Sequence, residues 1–381
     1  MPEIVLDNLV KRYGKVKAAD GLTLTVKDGE YLCILGPTGS GKTTCLRMIC
    51  GLTKPDSGSI TFDSKDIGRT PISERRTTML SQVYSLFPTE TVYDNVMFSP
   101  HIKEWPEEDS KQLAKSMLEM VHMGHKSKSY PIELSGGQQQ RTALARALAS
   151  DSKVLLLDEP LRALDARLRL ELRKELKSMT KEMGLTAVHV THDQDEALEM
   201  ADRIAIIRNG KIVQVGTPTE VFVYPATPFV ANFVGRSNIF VGSVGKTHDG
   251  HTDVVLGNGS VIPARETELP EGTAAVVAVK IGSSKLYHAE DESDSDDEDK
   301  ETPAPKAEGY ISGVVERILY EGATITIELE VEGIGRVTSK LPNRKYDEFK
   351  AGDKVSVYWP PEVATIFDMS PEKLEDELRL D

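Results

Sequence analysis

Residues 36–43 read Gly36-Pro37-Thr38-Gly39-Ser40-Gly41-Lys42-Thr43. The stretch matches the phosphate-loop pattern G-x-x-x-x-G-K-[ST], in which glycines let backbone N–H groups surround phosphate oxygens. An apolar, strand-like run at residues 29–35 precedes it, and a helix-favouring run from Lys42 to Cys50 follows it. This order predicts an α/β nucleotide-binding domain in which Lys42 contacts the β- and γ-phosphates and Thr43 binds Mg²⁺.

A second apolar run ends in two carboxylates. Val154 to Leu157 is unbroken, as expected of a strand buried on both faces, and Asp158 and Glu159 follow it. An Asp at the end of such a strand, beside a phosphate loop, can hold Mg²⁺, and the next carboxylate can orient or deprotonate the attacking water. His192 follows another apolar run, residues 187–190. A lone His more often caps or packs, but this position after a core strand predicts a group that senses the γ-phosphate.

A third motif opens a helix-favouring stretch and reads Leu134-Ser135-Gly136-Gly137-Gln138. A Ser and two glycines at the start of a helix make a second anion-binding cradle, which one ATP does not need. The motif resembles the signature sequence of ABC ATPases. That resemblance implies that the signature of one copy closes on the ATP held by a second copy, so that two ATP molecules lie at a dimer interface.

The resemblance assigns further roles. Tyr13 is similar to the aromatic residue that stacks on adenine, and Gln82 to the glutamine that contacts Mg²⁺ and the attacking water. Residues 161–165, which end at Asp165, are similar to a dimer-crossing loop, although Arg162 stands where the family usually has Ser or Asn. The implied catalytic set is Glu159, His192 and Gln82, and the implied Mg²⁺ ligands are Thr43, Gln82 and Asp158. The implied ATP-binding set is Tyr13, Gly36, Pro37, Thr38, Gly39, Ser40, Gly41, Lys42, Thr43 and Thr44.

Several stretches resemble the importer ATPases of the sugar, polyamine, iron and molybdate or sulfate group: residues 86–88, 91–96, 216–218, 220–222 and 225–230. This resemblance implies an ATPase that pairs with a second copy of itself and with two transmembrane permease subunits, and indirectly with a solute-binding protein. It also implies a peripheral position at the cytoplasmic face of the cell membrane. The solute stays open, because selectivity lies in other subunits.

Two domains are expected. Residues 1–235 resemble an ABC nucleotide-binding domain with a helical subdomain at about 86–150, and residues 236–381 resemble an all-β, OB-like TOBE regulatory domain. The second match is looser, since residues 278–281 lack the Arg-Pro-Glu usual there. An acidic insert at about 288–307 is expected to be disordered. The β-rich domain could bind the solute, bind a regulatory protein, or only widen the dimer contact.

Charge and composition exclude several classes of protein. The formal net charge is −14, of which residues 290–301 carry −8, and no long basic face suits nucleic acid. No run approaches the roughly 18–20 apolar residues that cross a bilayer, and no signal peptide is expected at the start. The three cysteines (Cys33, Cys45 and Cys50) have no metal-ligand spacing and are interpreted as small buried thiols.

Three rival functions share part of this pattern. An export ATPase would use the same chemistry, but the long β-rich domain argues against it. A soluble ABC ATPase of DNA repair or translation would carry long coiled-coil insertions or two ATPase halves, and this chain has neither. A P-loop kinase or GTPase would lack the motif at residues 134–138.

Overall fold

The computed structural model describes residues 2–150, 152–288 and 309–379. The chain divides into two compact units between Thr219 and Glu220. Apart from His288, the acidic insert expected at about 288–307 lies outside the described residues.

The expected domain boundary after residue 235 differs from this division by a segment that includes the helix Pro228–Gly235. The helix groups with the second unit because its Ala231 packs in a small apolar cluster with Val276, Ala278 and Phe367. The two placements of the boundary therefore differ only over residues 220–235.

The first unit alternates strands and helices. Its strands are β1 (Ile4–Tyr13), β2 (Val16–Val26), β3 (Tyr31–Leu35), β4 (Ser57–Phe62), β5 (Lys65–Asp66), β6 (Thr77–Leu80), β7 (Val154–Asp158), β8 (Thr186–Thr191), β9 (Arg203–Arg208) and β10 (Lys211–Gly216). Its helices are α1 (Lys42–Cys50), α2 (Val92–Ile102), α3 (Glu107–Met120), α4 (Gly136–Leu148), α5 (Ala166–Glu182) and α6 (Gln194–Met200), and α7 (Pro218–Val223) crosses the division.

Two sheets form the first unit. One is antiparallel, with the order β2-β1-β4-β5, and was not predicted. The other has the order β10-β9-β3-β8-β7-β6, in which all neighbours are parallel except β10 and β9. The predicted α/β fold is confirmed by this sheet. The predicted helix from Lys42 to Cys50 is α1.

Burial explains why the central strands are continuous apolar runs. Every residue of β3, β7 and β8 is buried, as expected of parallel strands covered on both faces. Their side chains share one core with Leu46, Met48 and Ile49 of α1. That packing fixes α1, and with it the phosphate loop, against the centre of the sheet.

The second unit is mostly β-structure. Its strands are β11 (Ser237–His248), β12 (His251–Leu256), β13 (Val261–Arg265), β14 (Ala274–Lys280), β15 (Lys285–His288), β16 (Tyr310–Tyr320), β17 (Thr324–Val331), β18 (Gly335–Pro342), β19 (Lys354–Tyr358) and β20 (Ala364–Phe367), and its helices are α8 (Pro228–Gly235) and α9 (Pro371–Leu378). They form two antiparallel sheets, β13-β12-β11-β14-β20 and β15-β19-β16-β17-β18. Both sheets contribute to one apolar core around the buried Trp359. The expectation of an OB-like all-β domain is confirmed.

Two expectations from composition can be compared with the structure. Across the described ranges, no helix combines the length and the apolar character needed to span a bilayer. Cys33, Cys45 and Cys50 are free and buried, and burial raises the pKa of Cys45 to about 12. The interpretation of the cysteines as small apolar core residues is confirmed.

Candidate active site

The order of the parallel strands brings the predicted site residues together. In the run β3-β8-β7-β6 the carboxyl ends of four neighbouring strands lie at the same edge of the sheet. The loops that leave this edge carry the phosphate loop, His192, Glu159 and Gln82. They border a cavity of about 290 Å³ that is lined by Ala18, Thr38, Gly39, Gly41, Lys42, Thr43, Thr44, Gln82, Glu159 and Arg162.

Two glycines of the phosphate loop are required by close backbone approaches. A Cβ atom on Gly41, whose φ is +105°, would lie 2.0 Å from the carbonyl oxygen of Ala18. A Cβ atom on Gly36 would lie 2.2 Å from the carbonyl oxygen of Ile207. The loop can therefore pack between β2 and β9 only because these two positions carry no side chain.

Lys42 is an almost fully buried cation inside this loop, with 7 % of its surface exposed. Its Nζ atom donates hydrogen bonds to the carbonyl oxygens of Gly36 at 2.8 Å and Pro37 at 2.7 Å. Burial lowers the pKa of Lys42, and the nearby Glu159 and Asp158 carboxylates oppose that effect. A desolvated cation held by neutral carbonyls is well placed to bind the oxygens of an anionic phosphate.

Thr43 and Asp158 form an oxygen pair suited to Mg²⁺. The Thr43 hydroxyl donates a hydrogen bond to Asp158 Oδ1 at 3.1 Å, and Asp158 is 3 % exposed. Burial raises the pKa of Asp158, and the Thr43 hydrogen bond partly opposes that rise. A hydroxyl and a desolvated carboxylate are hard oxygen ligands, so the residues fit a divalent cation that would also bind phosphate oxygens.

Glu159 is the point at which the three predicted catalytic residues meet. It takes a left-handed backbone conformation (φ 51°), and its N–H donates to the carbonyl oxygen of Val190 on β8. His192 Nδ1 lies 3.0 Å from Glu159 Oε1, and Gln82 Nε2 donates to Glu159 Oε2 at 3.4 Å. The carboxylate thus lies at the mouth of the cavity with its orientation fixed from two neighbouring strands.

The remaining predicted residues lie elsewhere in the first unit. Ser135 caps the N-terminus of α4 and accepts from the Gln138 N–H at 3.4 Å, and Asp165 caps α5 in the same way. Tyr13 ends β1 and is 49 % exposed. Within the part of the chain that the structure describes, the wall of the phosphate-loop cavity does not include Tyr13, Asp165 or residues 134–138. The roles predicted for them remain predictions.

Comparison with known proteins identifies the family. A family model described as ABC transporter matches residues 19–162, and one described as TOBE domain matches residues 295–367. The spermidine/putrescine import ATP-binding protein of Marinobacter nauticus is 36 % identical to this chain over 98 % of its length and 97 % of the relative. This chain belongs to the ABC transporter ATP-binding proteins.

Two further similarities agree with that assignment. The sulfate/thiosulfate import ATP-binding protein of Vibrio cholerae is 48 % identical over 63 % of this ABC ATPase and 65 % of the relative. A dimeric ATP-binding cassette, solved in a post-hydrolysis state with ADP and Pi, is 32 % identical with a TM-score of 0.52. The match covers 56 % of this chain and 98 % of that cassette. The protein binds and hydrolyses ATP.

The structure adds a residue of the ABC ATPase that the sequence analysis missed. Gln140, on the buried face of α4, is 2 % exposed. Its amide donates to the carbonyl oxygen of Glu159 at 3.1 Å and accepts from the N–H of Ala163 at 2.9 Å. Gln140 therefore connects α4 to the backbone of the loop that carries Glu159, the predicted catalytic carboxylate. The signal for Gln140 in the sequence was a polar residue on the face of an amphipathic helix that is buried.

Arg162 makes the second unpredicted contact. Its Nη1 lies 2.8 Å from Glu159 Oε2, the oxygen that also accepts from Gln82. The Arg162 side chain is 56 % exposed, whereas that of Glu159 is 15 % exposed. The departure from a small polar residue at this position thus places a guanidinium directly on the predicted catalytic carboxylate.

We expect Gln140→Leu to destabilise the first unit by about 1–3 kcal/mol, because a buried N–H and a buried carbonyl oxygen lose their partner. We also expect kcat to fall at least about tenfold, since the Glu159 backbone is no longer held in place. Urea denaturation and steady-state ATPase assays measure the two effects. Gln112→Leu, on the exposed face of α3, is the matched control. Equal behaviour of the two variants would contradict the assigned role.

We expect Arg162→Ser to raise kcat of the isolated subunit a few-fold with little change in KM for ATP. The ion pair occupies one Glu159 oxygen, and a partly exposed pair of this kind contributes at most about 1 kcal/mol, which corresponds to about fivefold in rate. Arg167→Ser is the control, because Arg167 pairs with Glu171 on α5 at a similar distance. A lower kcat in Arg162→Ser alone would show that the pair supports hydrolysis instead of restraining it.

Proposed function

We propose that two copies of this ABC ATPase close on two ATP molecules and thereby power the import of a small solute through separate membrane-spanning subunits. The observation that carries the proposal is the convergence of Gln82, His192 and the phosphate-loop cavity on Glu159. The import role agrees with the names of the relatives, which are import ATP-binding proteins for polyamines and for sulfate or thiosulfate. The solute is set by the partner subunits.

Hydrolysis follows from the contacts of the site. Lys42 binds the β- and γ-phosphate oxygens, and Thr43, Asp158 and Gln82 would hold Mg²⁺, which neutralises phosphate charge. The Glu159 carboxylate accepts a proton from water as the water oxygen attacks the γ-phosphorus and the bond to ADP breaks. His192, held against Glu159, orients that carboxylate and contacts the γ-phosphate.

The signature residues act on the second copy in this proposal. Leu134 to Gln138 lie at the N-terminus of α4, where the positive end of the helix dipole favours phosphate oxygens. As far as the structure describes the chain, they do not line the ATP cavity of their own copy, and the phosphate in this proposal is that of the ATP held by a second copy. The dimeric form of the similar cassette supports this arrangement.

The permease subunits dock, in this proposal, beside the loop that follows Gln82. An open cavity of about 470 Å³ lies there, lined by Phe87, Pro88, Thr89, Glu90, Tyr93, Asp94, Met97, Phe98 and His101. The rings of Phe87 and Phe98 lie 4.3 Å apart, and Phe98 is 41 % exposed. An apolar floor with a polar rim suits one helical turn of a membrane protein, and docking there agrees with the proposed position of this chain at the cytoplasmic face.

Hydrogen bonds from α2 and α4 hold the segment that borders the docking cavity. Asn95 on α2 is fully buried, accepts from the Phe87 N–H and donates to the carbonyl oxygens of Phe87, Glu90 and Thr91. Arg146 on α4 donates to the carbonyl oxygens of Tyr84 and Ser85. Force applied at the cavity therefore reaches the loop that carries Gln82.

We expect Glu159→Gln to bind ATP and form dimers while hydrolysis falls about 10²–10⁴-fold, because the amide cannot accept the proton of water. ATPase assays and size-exclusion chromatography with ATP test this. Purification of the variant from its native membranes then identifies the partners. Membrane-spanning partners would support the import proposal, and their identity would give the solute. Normal turnover would remove Glu159 from its role, and ATP-dependent dimers without any membrane partner would reject the import function alone.

We expect Phe98→Asp to reduce co-purification with the membrane subunits at least about tenfold, because a charge enters the apolar floor of the docking cavity. ATP affinity should stay within about twofold, since Phe98 lies outside the phosphate-loop cavity. Leu52→Asp, at another exposed apolar residue, is the control. Equal loss of co-purification in both variants would contradict the placement of the docking site.

A further inference from the structure

In the second unit, the hairpin of β11 and β12 carries a cluster of side chains of the types that bind metal ions. β11 ends at His248 and β12 begins at His251, and these two residues are directly paired across the strands. The two residues between them, Asp249 and Gly250, both have positive φ, which gives the tight turn that matches the twist of a hairpin. The pairing holds the two imidazoles side by side, with their ring centroids 4.3 Å apart.

Asp253 completes the cluster. It follows His251 by two residues on the same strand and therefore points to the same face of the sheet. His248 Nε2 lies 3.0 Å from Asp253 Oδ2, and His251 Nε2 lies 3.8 Å from Asp253 Oδ1. The ligand atoms of the three side chains all lie within 4.8 Å of one another.

These separations suit a tetrahedral metal ion. Ligands at about 2.0–2.1 Å from Zn²⁺ are separated from each other by about 3.3 Å. The two measured separations, 3.0 and 3.8 Å, lie on either side of that value. Since all three ligand atoms lie within 4.8 Å of one another, rotation of the side chains is the change needed to bring them to bonding distance.

Further groups support the two imidazoles. Asp249 Oδ2 lies 3.5 Å from His248 Nδ1, so the other ring nitrogen, Nε2, is the one available to a metal. Beneath the cluster, the Thr247 and Thr252 hydroxyls lie 2.9 Å apart, and Thr252 is fully buried.

We propose that His248, His251 and Asp253 form a surface site for a divalent transition metal ion of the zinc type. Imidazole nitrogen binds Zn²⁺, Ni²⁺ or Cu²⁺ in preference to Mg²⁺, so this site is chemically distinct from the Mg²⁺ site of hydrolysis. The side chain of His248 is 40 % exposed, which leaves the remaining coordination position open to water. The ion fixes the end of the hairpin by joining its two strands.

Isothermal titration of the EDTA-treated full-length protein with ZnCl₂ tests the site. We expect wild type to bind Zn²⁺ with a micromolar Kd, and His248→Asn, His251→Asn and Asp253→Asn each to weaken that binding at least about tenfold. His125→Asn, at an exposed histidine of the first unit, should leave it unchanged. Glu159 and His192 also offer a carboxylate and an imidazole to Zn²⁺, so the total stoichiometry does not identify the binding site. The loss of affinity in the three variants identifies it.

Two spectroscopic measurements separate metal binding from an ordinary ion pair. Co²⁺ should give the visible d–d bands of a tetrahedral site in wild type, and the His248→Asn/His251→Asn double variant should lose them. Thermal unfolding, followed by circular dichroism, should show that Zn²⁺ raises the Tm of wild type but not that of the variants. Circular dichroism spectra of the metal-free variants that match the wild-type spectrum confirm that the variants fold. The proposal would be overturned by an unchanged Zn²⁺ affinity in the double variant or by a millimolar Kd in wild type. The cluster would then be an ordinary His248–Asp253 ion pair.

Discussion

Parallel pairing of β3, β8, β7 and β6 is the constraint on which the active site depends. Each of these strands ends within two residues of a site group: Gly36, His192, Glu159 and Gln82. The pairing sets Asp158 opposite Val190, so the carboxylate lies level with the end of β8. Because side chains alternate across a strand, a one-residue slip of β7 would turn Asp158 away from Thr43. The buried faces of β3, β7 and β8 prevent that slip.

Burial also sets the electrostatics of the site. It lowers the pKa of Lys42 and raises the pKa of Asp158, so the charged form of each group depends on nearby opposite charge. In the proposed mechanism a phosphate supplies that charge to Lys42, and a divalent cation would supply it to Asp158. A site of this kind binds the nucleotide and the cation together more tightly than either alone. The binding energy can then do mechanical work, because it is released at loops that belong to four different strands.

Motifs with fixed spacing predicted the nucleotide-binding fold and the residues that meet at Glu159. What they could not predict depends on bends and tertiary contacts. β1 and β2 carry bulges near Leu6 and Leu9 that interrupt the alternation expected of a strand. The Gln140 contact depends on the packing of α4 beside the loop that carries Glu159. The Arg162 contact depends on the turn that this loop makes between Glu159 and Arg162. The histidine cluster depends on a hairpin register that no local pattern specified.

Glu159 is held by three separate parts of the first unit. Gln82 reaches it from the loop after β6, His192 from the loop after β8, and Gln140 from α4 through the backbone. Arg146, also on α4, holds the loop after Gln82. A displacement of that loop or of α4 therefore changes contacts of the Glu159 carboxylate or its backbone. Neither displacement needs to pass through the phosphate loop, whose glycines are wedged between β2 and β9. In the proposed function, binding of phosphate and timing of hydrolysis thus depend on different contacts, and this separation would let one site both hold ATP and respond to a distant partner.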